Sequence, residues 1–423
     1  MDHVDAWRNR LLDRMRSSPP LYRAAKRAQP AYFKWVSLCT SALRTLVAMP
    51  AVARLFQNPT RVAVATSLAA DEEDTARAGL RAVHIHPDIR ANRTLPPGLE
   101  GHPQAVFSRV QRETSGAGIV YTLSDGRVWG NDGAILSRDR RLLGDLSPVI
   151  RLPAEAHPIF RRPLTESPTR LDGSLGIATG PSAGNLSHWL LFVLPRLSLL
   201  GAWDPGLTHV DWVLTPAPTT PFHAECLRRF DVPVSKVIEA HAGTFIEAKQ
   251  VVAPSFVSPA FVAPSWFLED LRRRFDDVVP AQGARRLYIS RRDAPGRRVN
   301  NEDAVIAALA SLGFDAVQLE RRPFLEQVAL FKGADVVVAP HGAGLSHLAF
   351  ARANSAVVEL FSPAYINPMY WCLADELGLR YRCCIGSTTT KHAGRDLVRD
   401  DMTVDVDRLT SILKSLTTAG SSL

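Results

Sequence analysis

The chain of 423 residues is 46% hydrophobic and 22% charged, enough apolar content for a large core and too much for a disordered chain. Its net charge is +8, and residues 1–60 hold ten Lys/Arg against three Asp, so nearly all of the excess sits at one end. No basic stripe continues beyond residue 60, which argues against a nucleic-acid partner.

Length predicts two domains of ordinary size with small additions. Five cysteines without regular spacing, two of them the adjacent Cys383 and Cys384, argue against a disulfide framework. They predict a reduced, cytoplasmic compartment. No CxxC or HExxH element marks a zinc site. The 1–60 segment is basic and partly amphipathic, and Arg44, Pro50 and Arg54 interrupt its apolar run before it reaches the length of a spanning helix. It also lacks the core and cleavage site of a signal peptide. Such a segment suits peripheral contact with an anionic membrane, here the inner face of the plasma membrane, or a solvated arm.

Residues 61–170 form a mixed region. It opens with an acidic cluster, Asp71 to Asp74, that reads as a solvated helix start. Between 105 and 150, Asp125-Gly126 and Asn131-Asp132-Gly133 separate short β-forming runs, which predicts hairpins and a small antiparallel appendage. Prolines at 148, 153, 158, 163 and 168 then mark an extended wrap.

From 171 to 280 strand and helix signals alternate: strands at 176–179, 210–214, 237–238 and 248–254, helices at 185–200, 221–230 and 265–279. A second alternating unit covers 281–423, with strands at 286–290, 316–319, 335–339, 356–361 and 380–385. Helices at 301–312, 323–331, 366–377 and 404–416 follow them, and the last is expected to pack back across the interface. The fold class is therefore α/β: two Rossmann-like, doubly wound units facing a cleft, with the antiparallel appendage in the N-terminal part.

The strand ends of the second unit carry polar groups. Ser290-Arg291-Arg292 follow the first strand, with Arg298 further on. Glu320 follows the second, His341-Gly342-Ala343-Gly344 follow the third, and the fourth, 356–361, carries Glu359 and ends in Ser362. Arginine forks suit phosphate, and a carboxylate at a strand end suits ribose hydroxyls. Two glycines before an expected helix N-terminus suit close approach of an anion. Together they predict a nucleotide-diphosphate site. Across the cleft, Asn185 or Ser187 is a candidate helix cap. His188 beside Trp189 suits a general base, a sugar-stacking site, or a capping or core histidine.

These stretches, Asn185-Leu186-Ser187-His188-Trp189 through Pro195-Arg196, Tyr288 to Arg292, Arg298 to Glu302, Pro323 to Gln327 and Pro340 to Leu345, resemble glycosyltransferase family 61 over roughly residues 175–365. Its bacterial members are often described as capsular polysaccharide biosynthesis proteins. The resemblance implies a GT-B architecture with the donor in the second unit. It also implies inverting transfer from a nucleotide sugar, typically a UDP-sugar, to a glycan or lipid-linked glycan acceptor. Ser290, Arg291, Arg298, Glu320, His341, Gly342, Ala343, Gly344 and Ser346 fall on the donor side. Asn185 and Trp189 fall near the acceptor, and His188 is the candidate catalytic base. Many relatives carry an acid four residues after that histidine; this chain has Phe192. Ser346-His347 stand where relatives often show Thr-Asn, and the serine keeps the hydroxyl. Cationic side chains are expected to serve the leaving group in place of a metal, so no cofactor is expected. The only DxD triplet, Asp405-Val406-Asp407, reads as a helix cap. A Rossmann-type oxidoreductase is disfavoured because no GxGxxG follows the first strand of either unit. A non-catalytic polysaccharide-binding component is the other alternative.

Overall fold

The computed structural model describes residues 79–418 apart from 139, 150, 151, 162–166, 258–261, 284 and 389–393. The basic 1–60 segment and the acidic cluster at 71–74 lie outside the described residues, as does any membrane contact through them. Among the described residues twelve strands form two sheets.

The second sheet is the simpler. Its strands are β8 (Arg286–Ile289), β9 (Asp315–Val317), β10 (Val336–Pro340), β11 (Ala356–Phe361) and β12 (Arg380–Ile385). All pair in parallel, in the order β9-β8-β10-β11-β12. Every residue of β10 and β11 is buried, as expected for the central strands of a sheet covered on both faces. The order reverses between β8 and β10, the switch point at which doubly wound sheets bind ligands outside the carboxyl ends of their strands. Helix α5 (Glu302–Ala310) and the closing helix α8 (Val406–Thr418) cover one face. Leu409, Leu413 and Leu416 of α8 are buried at helical spacing against it. So α8 stays within its own unit, contrary to the expectation that it crosses the interface; its apolar stripe matches the sheet beneath it. Helices α6 (Phe324–Gly333) and α7 (Met369–Glu376) belong to the other face.

The first sheet has the order β1-β2-β7-β4-β5-β6, with β3 on β2. The parallel half holds β4 (Thr169–Ile177), β5 (Trp212–Pro216), β6 (Val237–Ala240) and β7 (Phe245–Pro254). The strands β1 (Leu80–His86), β2 (Gly118–Trp129) and β3 (Ala134–Leu136) are antiparallel, as the hairpin signals predicted. They are not an appendage. Ten-residue β7 offers a free edge, and β2 pairs along it from Val120↔Pro254 to Trp129↔Phe245, extending one continuous sheet.

Helix α1 (Gly101–Arg109), between β1 and β2 in the chain, reaches the other unit. Its Phe107 is fully buried against Trp371, Phe361 and Tyr381, with centroids 5.2, 6.4 and 6.4 Å away. The long helix α2 (Leu186–Trp203), α3 (Pro221–Arg229) and α4 (Ser265–Arg274) contribute to the same apolar core, which is shared by both units. α2 is long and apolar enough to cross a membrane, yet 72% of it is buried in the protein body, as befits a core helix. Arg272 of α4 fastens the junction by donating to the carbonyls of Ala349 (2.8 Å) and Ala351 (2.5 Å).

Because Phe107 fills a site in the other unit, Phe107→Ala should lower unfolding free energy by about 3–5 kcal/mol in a denaturant titration. Val83→Ala, at an exposed position on β1, should change it by less than about 0.5 kcal/mol.

Candidate functional site

A cavity of about 420 Å³ opens at the switch point of the second sheet. Ser290 and Arg291 enter it after β8, Glu320 after β9, and Pro340, Gly342 and Gly344 after β10; Leu186, at the start of α2, closes it from the first unit. Five of the predicted donor-side residues thus meet in one place. Ala343 sits between the two lining glycines, half-buried.

Arg291 is the centre of the site. Its guanidinium lies on Gly342: a Cβ there would come within 2.2 Å of Nη1. Gly342 is extended (φ 175°), so the glycine serves this close approach and not a special dihedral. Gly344 likewise lies against Leu319, whose Cδ1 would be 2.8 Å from an added Cβ. Sequence reasoning gave both glycines to an incoming phosphate, but in the structure protein side chains occupy that space. The segment that follows Gly342 and includes Gly344, Ala343–Phe350, is a 3₁₀ helix and not the expected α-helix. Its backbone N–H groups are less well aligned than those of an α-helix N-terminus.

Arg291 donates to the Gly296 carbonyl (3.1 Å), its Nε is buried without a partner, and it has no carboxylate partner among the described residues. Burial, then the neighbouring Arg297, pull its pKa down to about 10. It stays a cation, held at a cost that a bound anion would relieve.

Arg297 was missed by sequence reasoning, which chose Arg298. Arg298 points away, into an ion pair with Asp401 (2.8 Å), and is half-exposed. Arg297 takes a left-handed conformation (φ 56°), which sends its side chain inward over the Tyr365 ring at 5.6 Å. It donates to the Val398 carbonyl, and its Nε is also buried without a partner. Two adjacent arginines look interchangeable in a sequence; the backbone turn separates them.

His341 and Ser346 lie behind the loop. The His341 ring is buried, with Nδ1 2.5 Å from Glu359. Ser346 is fully buried, 3.3 Å from the Tyr370 hydroxyl, which in turn donates across the units to Ser187 (3.4 Å). Burial raises the Tyr370 pKa to about 12, so that hydroxyl remains a donor.

On the first-unit side, the Asn185 side chain accepts from the Ser187 amide (2.9 Å), a helix cap. Trp189 is wholly buried, tilted against His223 at 4.2 Å and edge-on to Phe222 at 5.9 Å. An indole on the inward face of α2 cannot stack on an acceptor sugar, so the acceptor assignment of Trp189 is corrected to a core role. His188 is half-buried and donates from Nδ1 to the Pro181 carbonyl (2.9 Å), which in the neutral ring leaves the lone pair on Nε2. Burial lowers its pKa, and the bond to Pro181 opposes that shift. Phe192 packs edge-on to His188 at 5.0 Å, so the position of the absent acid is apolar. Between them the helix widens into a π-turn, Trp189–Val193, where the Leu194 amide reaches the Trp189 carbonyl. Pro195, with no N–H to give, follows at once. Arg196 is fully buried without a carboxylate partner among the described residues. It donates to the Thr179 and Leu146 carbonyls, and burial lowers its pKa to about 10.

No group of three or more metal-ligating side chains occurs among the described residues. Asp405 accepts from the Arg408 amide (3.0 Å), the capping role read for the DxD triplet.

Residues 186–358 match the family model for Glycosyltransferase 61. The chain is 40% identical over 106 residues to the EGF domain-specific O-linked N-acetylglucosamine transferase of Drosophila melanogaster, covering 24% of this chain and 20% of that protein. It is 31% identical over 91 residues to the Beta-1,2-xylosyltransferase of Arabidopsis thaliana, covering 22% and 15%. The mouse EGF domain-specific O-linked N-acetylglucosamine transferase is 31% identical over 88 residues, covering 20% and 17%. The chain thus spans a fifth or less of the length of these relatives.

Two outcomes are expected. Gly342→Ala must displace the Arg291 guanidinium, so the affinity for inorganic pyrophosphate measured by calorimetry should fall at least about tenfold, with the circular dichroism spectrum unchanged. His347, fully buried under the loop, has its pKa lowered to about 4 by burial, with the Gly344 carbonyl opposing. A histidine depressed in the folded state binds its proton more readily unfolded. Its stabilising effect is therefore complete above pH 6.5 and is lost as pH falls towards 4, by up to about 1.4 kcal/mol per pH unit. Denaturant titrations across that window should show a shallower slope in His347→Phe.

Proposed function

We propose that this chain, which carries a glycosyltransferase 61 domain over residues 186–358, is an inverting glycosyltransferase. It moves a sugar from a nucleotide-diphosphate donor, a UDP-sugar, to a glycan or lipid-linked glycan acceptor in cell-surface polysaccharide synthesis. The two units take the GT-B role of facing a cleft, with the donor in the second unit. The observation that carries this reading is the cavity at the switch point, lined by the half-buried Arg291, which has no direct carboxylate ion pair among the described residues and has Arg297 as an electrostatic neighbour. Two such cations call for an anion of more than one charge, which a diphosphate supplies.

In the proposed step an acceptor hydroxyl attacks the anomeric carbon, and the bond from that carbon to the diphosphate oxygen breaks. The electron pair leaves with the diphosphate, where Arg291 and Arg297 stabilise the added charge. His188 takes the hydroxyl proton at Nε2; its lowered pKa keeps the ring neutral and able to do so near pH 7. Glu320 holds ribose hydroxyls at the end of β9. The arginines do the work that a divalent metal does elsewhere, so turnover needs none.

The cytoplasmic, membrane-peripheral setting and the polysaccharide pathway are parts of the same proposal and rest on the motif resemblance and the composition. The relatives named above come from animals and a plant, and two of them are named for a protein substrate. A protein-linked acceptor is therefore the second reading.

The test is transfer and donor hydrolysis measured across a panel of UDP-sugars. His188→Ala should lower kcat by at least about a hundredfold; near-normal turnover would remove it as the base. Arg291→Ala with Arg297→Ala should abolish saturation by donor, and retained saturation would overturn the phosphate assignment. EDTA should leave the rate unchanged; loss of turnover restored by Mn²⁺ would contradict a metal-free reaction.

A further inference from the structure

Behind the loop that ends β10, a carboxylate is buried where the fold gives it no structural reason to be. Glu359 stands on the central strand β11 with no exposure, on the face that packs Val357 and Phe361 into the apolar core. Its two oxygens are held from either side. Oε2 accepts from the Tyr381 hydroxyl of β12 at 2.5 Å, and Oε1 meets His341 Nδ1, just past β10, at 2.5 Å. Three adjacent parallel strands thus contribute one group each. A buried carboxylate–histidine contact of this kind is weak support for stability, and apolar residues of similar volume commonly serve as well. A charge kept at such a position beside a ligand cavity marks function.

The protons can be assigned from geometry. Burial, then the charge of Glu359, raise the Tyr381 pKa well above its ordinary value, so Tyr381 keeps its proton and donates. A carboxylate only accepts, so His341 must carry its proton on Nδ1. Nε2 is the ring nitrogen that Glu359 does not hold. The ring is fixed as well: Phe361 stacks on it at 5.3 Å, and Tyr370 and Tyr365 flank it at 5.2 and 5.4 Å. Tyr365 also carries the Arg297 guanidinium. The His341 amide donates to the Leu360 carbonyl at 2.9 Å, tying the same residue's backbone to β11. The next residue is Gly342, on which the Arg291 guanidinium lies.

We propose that Tyr381, Glu359 and His341 form a buried positioning relay. It sets the 341–344 loop, and through Gly342 the Arg291 guanidinium, for the diphosphate of the donor. The proposal rests on the donor-site reading above. These are positioning residues: Glu359 and Tyr381 act through His341, and His341 acts through the loop. Glu359→Gln keeps the volume but must donate one proton where the carboxylate accepted two. Because Tyr381 keeps its proton and donates, the amide N–H of the glutamine faces His341 Nδ1, and the ring moves its proton to Nε2.

The experiment pairs two readouts on the full chain. In ¹⁵N spectra of the histidine rings, with His341 assigned by its loss in His341→Gln, the wild type should show the proton on Nδ1, and Glu359→Gln should populate the Nε2–H form. By calorimetry at 20 °C, UDP affinity should fall about tenfold in Glu359→Gln and about threefold in Tyr381→Phe, the scale of one charged and one neutral hydrogen bond. A purely structural role would lower the unfolding midpoint and leave both the wild-type UDP affinity and the tautomer unchanged, and that result overturns the relay. So does a wild-type His341 protonated only on Nε2. If Glu359→Gln does not fold, Tyr381→Phe and the wild-type ring spectrum decide. A wild type that binds no UDP sinks the donor-site reading and the relay's role with it. A wild type that binds while both variants bind equally well sinks the relay alone.

Discussion

The contact on which the rest depends is the Arg291 guanidinium lying on the bare backbone of Gly342. It joins the end of β8 to the end of β10 across the point where the strand order reverses. No side chain larger than hydrogen fits beneath it, and no carboxylate among the described residues forms a direct ion pair with it, although Glu320 and Asp401 act on its charge from further away. The cation is therefore held half-buried with an unpartnered Nε, next to a second arginine in the same condition. Folding supports that arrangement with the apolar run of β10 and β11 below and the shared core around it. The protein spends stability there.

The second unit was legible in the sequence because its signals are redundant. Val336 to Val338 read as a buried strand from composition alone, and the alternation of short apolar runs with helical periods gave the doubly wound sheet. The meeting of Ser290, Arg291, Glu320, Gly342 and Gly344 followed from their common position at strand ends. What could not be read was side-chain direction. Arg297 and Arg298 differ only in a left-handed turn, and Trp189 differs from an exposed platform only in which side of a π-widened helix it occupies. The pairing of β2 with β7 was hidden too, since residues more than a hundred positions apart carry no local signal of contact. The Glu359 relay had only a weak trace, an acidic residue inside an otherwise apolar strand. That contradiction between residue type and context can be found in a sequence and is worth seeking.

Helix α2, which meets the cavity through Leu186, is built differently. His188 is oriented by a backbone carbonyl and hemmed by Phe192, while Arg196 fastens the Thr179 carbonyl nearby. A buried carboxylate, Glu359, holds the other histidine, His341, behind the loop after β10. The two histidines thus differ in environment: one neutral beside an aromatic ring, the other tied to a buried acid. The strap through Phe107 and the Tyr370–Ser187 contact hold the two halves against one core.

The most direct test of the central claim is a crystal structure of the protein with UDP bound. The account predicts the diphosphate within hydrogen-bonding distance of both Arg291 and Arg297, over the Gly342–Gly344 loop, with the ribose towards Glu320. A UDP molecule elsewhere, with the two guanidinium groups still on the Gly296 and Val398 carbonyls, would contradict it.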